Sequence, residues 1–175
     1  MTQREKLHKD FKVAKTILEK YGIKWFAIQG TCLGAVREAD FIEWDDDVDL
    51  AGFMTKEQEA QIREDLRKEG FKVEDDYCIE LPKGCTKVEG YIRAIRYTLV
   101  DLFRILEDNE GYFVNDIGKC YFRKGTVEWA LKKLKLGEED CYVPNPPENH
   151  LISLFGEDWK TPKKTILENH YTPIL

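Results

Sequence analysis

Leu7, Phe11, Ala14, Ile17, Leu18 and Tyr21 recur at helical spacing among charged residues, which predicts an amphipathic helix over about 4–21. Gly22 stands where such a helix stops. IKWFAI (23–28) then changes the pattern: an apolar, aromatic and β-branched run between glycines reads as a buried strand. QGTCLGAVRE follows as a turn into a short helix, with Thr31 as the expected cap. A second strand is expected over 47–53, and Thr55 with Gln58 spells a capping box for a helix ending at Gly70. FKVED (71–75) reads as a strand. YIRAIRYTLVDLFRIL (91–106) is too long and too rich in β-branched and aromatic residues for one strand, so two strands or one strongly bent strand are expected. Segments 111–115 and 119–123 suggest a hairpin turning at 116–118. Beyond them the pattern predicts a helical patch near 126–134, the loop VPNPPEN (143–149), a helix over 150–155 and an irregular tail. This order indicates an α+β domain, a small mixed sheet flanked by helices with a helical C-terminal part. No repeat or linker divides the 175 residues, so residues 1–175 are expected to form a single domain.

Composition narrows the function classes. With 42% hydrophobic and 34% charged residues the chain is ordinary for a protein with one buried core. A formal charge of −6 argues against a nucleic-acid partner bound by neutralising phosphates, yet allows a nucleotide ligand, because a metal can reverse the local sign. MTQREKLHKDF lacks the apolar stretch of a secretion signal, and no apolar run approaches the roughly 20 residues that span a bilayer. A cytoplasmic location with reduced thiols is therefore expected. Cys32, Cys78, Cys85, Cys120 and Cys141 form no C-x-x-C pair, and His8, His150 and His170 lack ligand spacing. Buried thiols account for the cysteines better than a zinc site.

The densest chemistry lies in WDDDVDL (44–50). On a strand, the period of two puts Asp47 and Asp49 on one face and Val48 and Leu50 on the other. Two carboxylates about 5 Å apart repel by roughly 3 kcal/mol at an effective dielectric of 20. Holding them together calls for a proton or a cation, and oxygen ligands of this kind suit magnesium or manganese. A solvated acidic loop would account for Asp45 and Asp46 but not for the apolar, strand-like residues after them. Three other acidic motifs fit worse. A calcium loop starting at Asp45 would need glycine and glutamate where Leu50 and Lys56 stand. A terpenoid-synthase motif would lie on a helix. A sugar-nucleotide glycosyltransferase would need a longer nucleotide-binding region before its Asp-x-Asp.

IQGT (28–31) closes a strand and opens a helix, so Gly30, Thr31 and the exposed N–H groups form a possible phosphate cradle. Gly34 would let a ligand or a strand approach closely, and Arg37, one turn on, could grip a phosphate or simply lie on the surface. Asp101 sits inside TLVDLFRIL, where a carboxylate needs a partner. It either faces a cleft as a third metal or base carboxylate or pairs with Arg93, Arg96 or Arg104; the cleft is the expected setting.

GTCLGAVREADFIEWDDDVDLAGF (30–53) resembles the signature of the LicD/fukutin-related family of the nucleotidyltransferase superfold: Gly-Thr-x-Leu-Gly-Ala-x-Arg, then Trp-Asp-x-Asp-(Val/Ile)-Asp. VDLFRIL resembles the family's later strand, and 142–164 its C-terminal stretch. The resemblance implies a metal-dependent phosphotransferase that moves a phosphocholine-like or phospho-alditol group from a CDP-activated donor to a sugar hydroxyl. It further implies Asp47, Asp49 and Asp101 as metal ligands and Asp45 as an assistant to the metal or acceptor. Gly30 and Thr31 would hold phosphate, and Arg37 would steady the donor. Asp101, or else Asp45, would take the hydroxyl proton. This chain has little between Tyr77 and Thr98 to form an acceptor-binding insertion. Two alternatives share these residues: transfer of AMP or CMP to a small molecule or protein, and a non-catalytic nucleotide-binding module.

Overall fold

Thr2 and Glu5 open the first helix reciprocally, each side chain accepting from the other's backbone N–H. This helix, α1 (Gln3–Lys20), turns Leu7, Phe11, Ala14, Ile17 and Leu18 inward. Gly22, at a φ of +64°, reverses the chain into β1 (Lys24–Ala27). The computed structural model describes residues 1–75, 78–81, 84–115, 119–122 and 130–163, with the backbone alone at 78–81, 84–87, 115 and 119–120. The expected turn at 116–118, residues 126–129 of the expected helical patch, the tail from 164, Tyr77 and the side chains of Cys78, Cys85 and Cys120 lie outside the described residues.

After β1 come α2 (Gln29–Arg37), β2 (Asp47–Phe53), α3 (Lys56–Lys68) and β3 (Lys72–Glu74). The expected Thr55–Gln58 capping box opens α3. A small hairpin, β4 (Cys78–Leu81) and β5 (Gly84–Lys87), leads to β6 (Tyr91–Ile95) and β7 (Leu99–Arg104). The long apolar run is therefore two strands, turned at 96–98. The main sheet has the order β1-β2-β7-β6-β3, in which only β2 and β7 run parallel. One face of it (Val48, Leu50, Ile92, Ala94, Val100 and Leu102) packs on the apolar sides of α1 and α3. Fully burying each such side chain contributes about 1.5–3 kcal/mol. The opposite face is divided. Ala51, Tyr91 and Phe103 join Phe26, Ile28, Val114 and Phe122 in a second cluster, while the beginning of β2 and the middle of β7 carry aspartates.

β8 (Leu106–Glu107), β9 (Tyr112–Asn115) and β10 (Lys119–Phe122) form a second sheet, with the expected hairpin pairing of β9 and β10. The helix expected near 126–134 is corrected: residues 132–136 are β11 (Lys132–Leu136), paired with β12 (Glu139–Val143). Leu134 stands opposite Cys141 across that pair, Leu136 and Val143 join the same core cluster, and Gly137 supplies the positive φ that a tight hairpin turn requires. The C-terminal part is helical in α4 (Pro147–Phe155), which begins three residues before the expected start, with Pro147 in its first turn.

α1 also fixes the turn between β6 and β7. Asp10, fully buried, accepts from Arg96 Nε and from the N–H groups of Tyr97 and Thr98, each at 2.9 Å. The Thr98 hydroxyl in turn donates to the carbonyl of Asp46. One buried carboxylate thus sets the entry to β7 and, through Thr98, the loop that precedes β2. Among the described residues, no helix is long and apolar enough to cross a membrane.

Candidate active site

β2 and β7 pair in parallel with Asp47 opposite Leu99 and Asp49 opposite Asp101. Partners in register project from the same face, so Asp47, Asp49 and Asp101 converge. Each offers a carboxylate oxygen, and these oxygens lie within 4.8 Å of one another. Asp49 and Asp101 are buried and Asp47 half-buried. Asp45, Asp46 and Asp47 form a second trio on the same criterion, so Asp47 belongs to both.

β1 brings the glycine turn to the same place. Its antiparallel pairing with β2 ends at Ala27 and Leu50, and Ile28 N–H then donates to the carbonyl of Asp49 at 3.1 Å. The chain turns there into α2, with Gln29 at a φ of +49°. Gly30 faces Asp45 closely: a Cβ at this position would stand 3.1 Å from Asp45 Oδ1. The glycine therefore makes room for the carboxylate at the start of the helix.

Thr31 is not the cap. Ile28 holds that position without a side-chain bond, and Thr31 lies inside α2, fully buried, its hydroxyl accepting from Asp49 N–H at 2.9 Å. It ties the helix to the acidic strand. Gly34, expected to let a ligand or a strand approach closely, admits the chain itself: a Cβ there would lie 2.5 Å from the Asp40 carbonyl, so the backbone at 40–42 fills the space. Arg37 turns away, with Nε on Glu38 at 2.8 Å and Nη1 donating to the Trp159 carbonyl at 3.2 Å. It holds the segment after α4 against α2.

Asp45 is the anomalous acid. It is 8% exposed, and its Oδ2 is buried with no hydrogen-bond partner. Burial, with repulsion from Asp47 and Asp46 added, pushes its carboxyl up to about 8. An orphaned buried oxygen beside two carboxylate trios is the setting a hard divalent cation satisfies, and an all-oxygen donor set fits magnesium or manganese better than a softer metal.

Of two further residues that meet this region, Arg93 was weighed in the sequence as a partner of Asp101 and His150 was not. Arg93 lies opposite Asp101 on β6 and reaches it at 3.4 Å, so Asp101 both joins the acidic cluster and has a cationic neighbour. Of the arginines weighed as partners for Asp101, Arg93 reaches it, while Arg96 and Arg104 go elsewhere, to Asp10 and to Glu59 with Glu89. The placing of Arg93 and Asp101 about the 96–98 turn was the available signal. His150, on α4, accepts from Gln29 N–H at 3.1 Å through Nε2 and pins the start of α2. Nothing in the local sequence pointed to that contact.

A family model described as LicD/FKTN/FKRP, nucleotidyltransferase domain, matches residues 22–145. The chain belongs to this family. The LicD match takes in the glycine turn, both aspartate-bearing strands and the β11–β12 hairpin. The fold is accordingly the nucleotidyltransferase type, a small mixed sheet flanked by helices. The "uncharacterized protein RP689" of Rickettsia prowazekii (strain Madrid E) is 28% identical over 158 residues, or 86% of this chain. The chain spans about half the length of this curated relative, 54%. Two solved structures of the antibiotic-resistance factor ANT(2'')-Ia also align, a solution structure and a crystal structure in complex with adenylyl-2"-tobramycin. Both give a TM-score of 0.41 at 15% identity, covering 70% of this LicD chain and 54% and 58% of theirs.

Proposed function

We propose that this protein is a divalent-metal-dependent phosphotransferase, which moves a phosphoryl-linked group, phosphocholine-like or a phospho-alditol, from a CDP-activated donor to a sugar hydroxyl. The observation that carries the reading is the register of β2 against β7, which brings Asp49 and Asp101 side by side with Asp47 next to them. LicD family membership supports a transferase of this kind. Asp47, Asp49 and Asp101 would hold magnesium or manganese, and the bound ion would offset charge on the donor's diphosphate. The start of α2 at Gly30 lies beside these acids and directs backbone N–H groups to the phosphates. Thr31, Gly34 and Arg37 support that cradle through their contacts with Asp49 N–H, the 40–42 backbone and the Trp159 carbonyl. The acceptor oxygen forms the new bond to phosphorus, the diphosphate bridge breaks, and CMP leaves with the bridging oxygen. Asp101 takes the hydroxyl proton; Asp45, which burial holds in its protonated form, is the second choice and can accept a proton only after a bound cation has drawn off its own.

Asp47→Asn and Asp49→Asn are expected to abolish manganese binding and manganese-dependent turnover while the melting temperature in chelator stays near that of the parent. Calorimetry and an assay over CDP-linked donors test this, and either variant turning over normally at saturating substrate sinks the assignment. Transfer of a nucleotidyl group is the second reading, because the family model is described as a nucleotidyltransferase domain. Product mass separates the two, since the nucleotide either leaves or stays on the acceptor.

A further inference from the structure

The first turn of α1 and the loop after α2 enclose a cleft of about 670 Å³, whose lining includes Gln3, Arg4, Glu38, Glu43 and Trp44. It stands at the end of the sheet where the acids are. Asp10, midway along α1, accepts from Thr98 N–H at the start of β7, and the helix then leads to Lys24, opposite Phe53 at the end of β2. Gln3 lies about 10 Å upstream of Asp10 at 1.5 Å per residue, so the first turn of α1 reaches past the end where β2 and β7 begin.

Trp44 joins this cleft to the acidic cluster. It sits in the turn that Asp45 N–H closes on the Ile42 carbonyl at 3.1 Å, and no more than about 11 Å of backbone separates it from Asp47. Its ring is half-buried against the main core and also lines the cleft. Among the described residues, the side chains of Gln3, Glu43 and Trp44 make no hydrogen bond or ion pair. Arg4, by contrast, is fixed: Nη2 donates to the Phe41 carbonyl at 3.2 Å and Nη1 lies 3.4 Å from Asp40. An aromatic face beside an unengaged amide and carboxylate suits a sugar ring, whose C–H groups lie on the indole while its hydroxyls bond the planar polar groups. Two carboxylates to one guanidinium on the lining disfavour a phosphate there.

We propose that this cleft is the acceptor subsite, where Trp44 is the stacking platform and Gln3 and Glu43 bond the hydroxyls of an uncharged oligosaccharide whose end reaches the acids beyond the loop. Its catalytic meaning rests on the transferase reading above, which calls for a sugar hydroxyl but names no residue that holds the sugar. The acceptor then lies on the α1 side of the 42–46 loop, and the α2 side, where Gly30 faces Asp45, is left to the donor.

A glycan array of neutral and acidic mono- to tetrasaccharides, probed with labelled protein in manganese and CDP, supplies the ligand, and calorimetry with a retained glycan compares variants. The parent is expected to retain neutral glycans. Trp44→Ala should bind the retained glycan about tenfold more weakly or worse, with manganese and CDP affinities near the parent's. Gln3→Ala, on an exposed helix turn, should weaken the same glycan by a smaller factor, and it serves alone if Trp44→Ala fails to fold. No glycan retained by the parent, a preference for acidic glycans, or parent-like glycan affinity in the variants would overturn the proposal. So would equal losses of glycan, manganese and CDP in Trp44→Ala with none in Gln3→Ala, which would make Trp44 a support of the acidic loop. A parent that holds a glycan through Trp44 yet binds neither manganese nor CDP leaves this site standing and removes the transferase reading instead.

Discussion

Asp45 places a carboxyl oxygen in the interior with nothing to receive it, and this sets how the metal-free protein responds to pH. The folded protein keeps the proton up to about pH 8, whereas in the unfolded chain the group gives it up near its ordinary value of 3.8. Between those values the unfolded state binds fewer protons, so the contribution of Asp45 to stability falls as pH rises. Asp45→Asn is neutral at every pH and should remove that slope. In chelator at pH 8 its urea midpoint should exceed the parent's, with the gap closing toward pH 4; a gap independent of pH would refute the assignment. The acids themselves were legible in the sequence, because Asp47 and Asp49 alternate with Val48 and Leu50 in a pattern only a strand makes sensible. The roles of Thr31, Gly34 and Arg37 were not. Each forms a tertiary contact, with Asp49 N–H, with the 40–42 backbone and with the Trp159 carbonyl, that no local spacing reveals.

At the scale of elements, a hydrogen bond joins α4 to α2. His150 stacks on Phe122 at 5.2 Å between ring centres, and its Nε2 accepts the N–H of Gln29, whose positive φ is uncommon for a residue with a side chain. Complete burial pushes the imidazole down to about 4 from 6.5. As pH falls from 6.5 toward 4 the unfolded chain takes up a proton that the folded protein refuses, and stability is lost, by up to about 3 kcal/mol at 1.36 kcal/mol per unit. Melting curves across that range should show a smaller loss for His150→Gln, which keeps an acceptor for Gln29 but cannot take the charge. An equal loss in both proteins would exclude His150 as the source. Elements bounded by capping boxes or glycines, such as α3 and β1, were readable because their signals lie within the element. The start of β11, residues 132–134, was misread as the end of a helical patch: its lysine-rich outer positions favour helix as readily as strand, and pairing with β12 decides between them.

Across the whole molecule, the buried Asp10 carboxylate links the first helix to the turn that begins β7. Asp10→Ala leaves Arg96 and two N–H groups without their acceptor, and losing one partner of a buried pair costs about 3–5 kcal/mol. Urea unfolding should register that loss, and a change below about 1 kcal/mol would show that the contact is ornamental. The juxtaposition of Asp49 with Asp101 depends on this long-range order, so the sequence could name the acids but not their register. The excursion from β3 to β6 has a further consequence. It leaves from the outermost strand of the main sheet and returns to the strand beside it, while the paired β2 and β7 occupy the sheet's interior. Lengthening a surface connection costs little, because closure entropy grows only with the logarithm of its length. The β4–β5 hairpin is therefore a natural insertion point, where extra chain could be grafted to recognise a different acceptor while the aspartates keep their alignment.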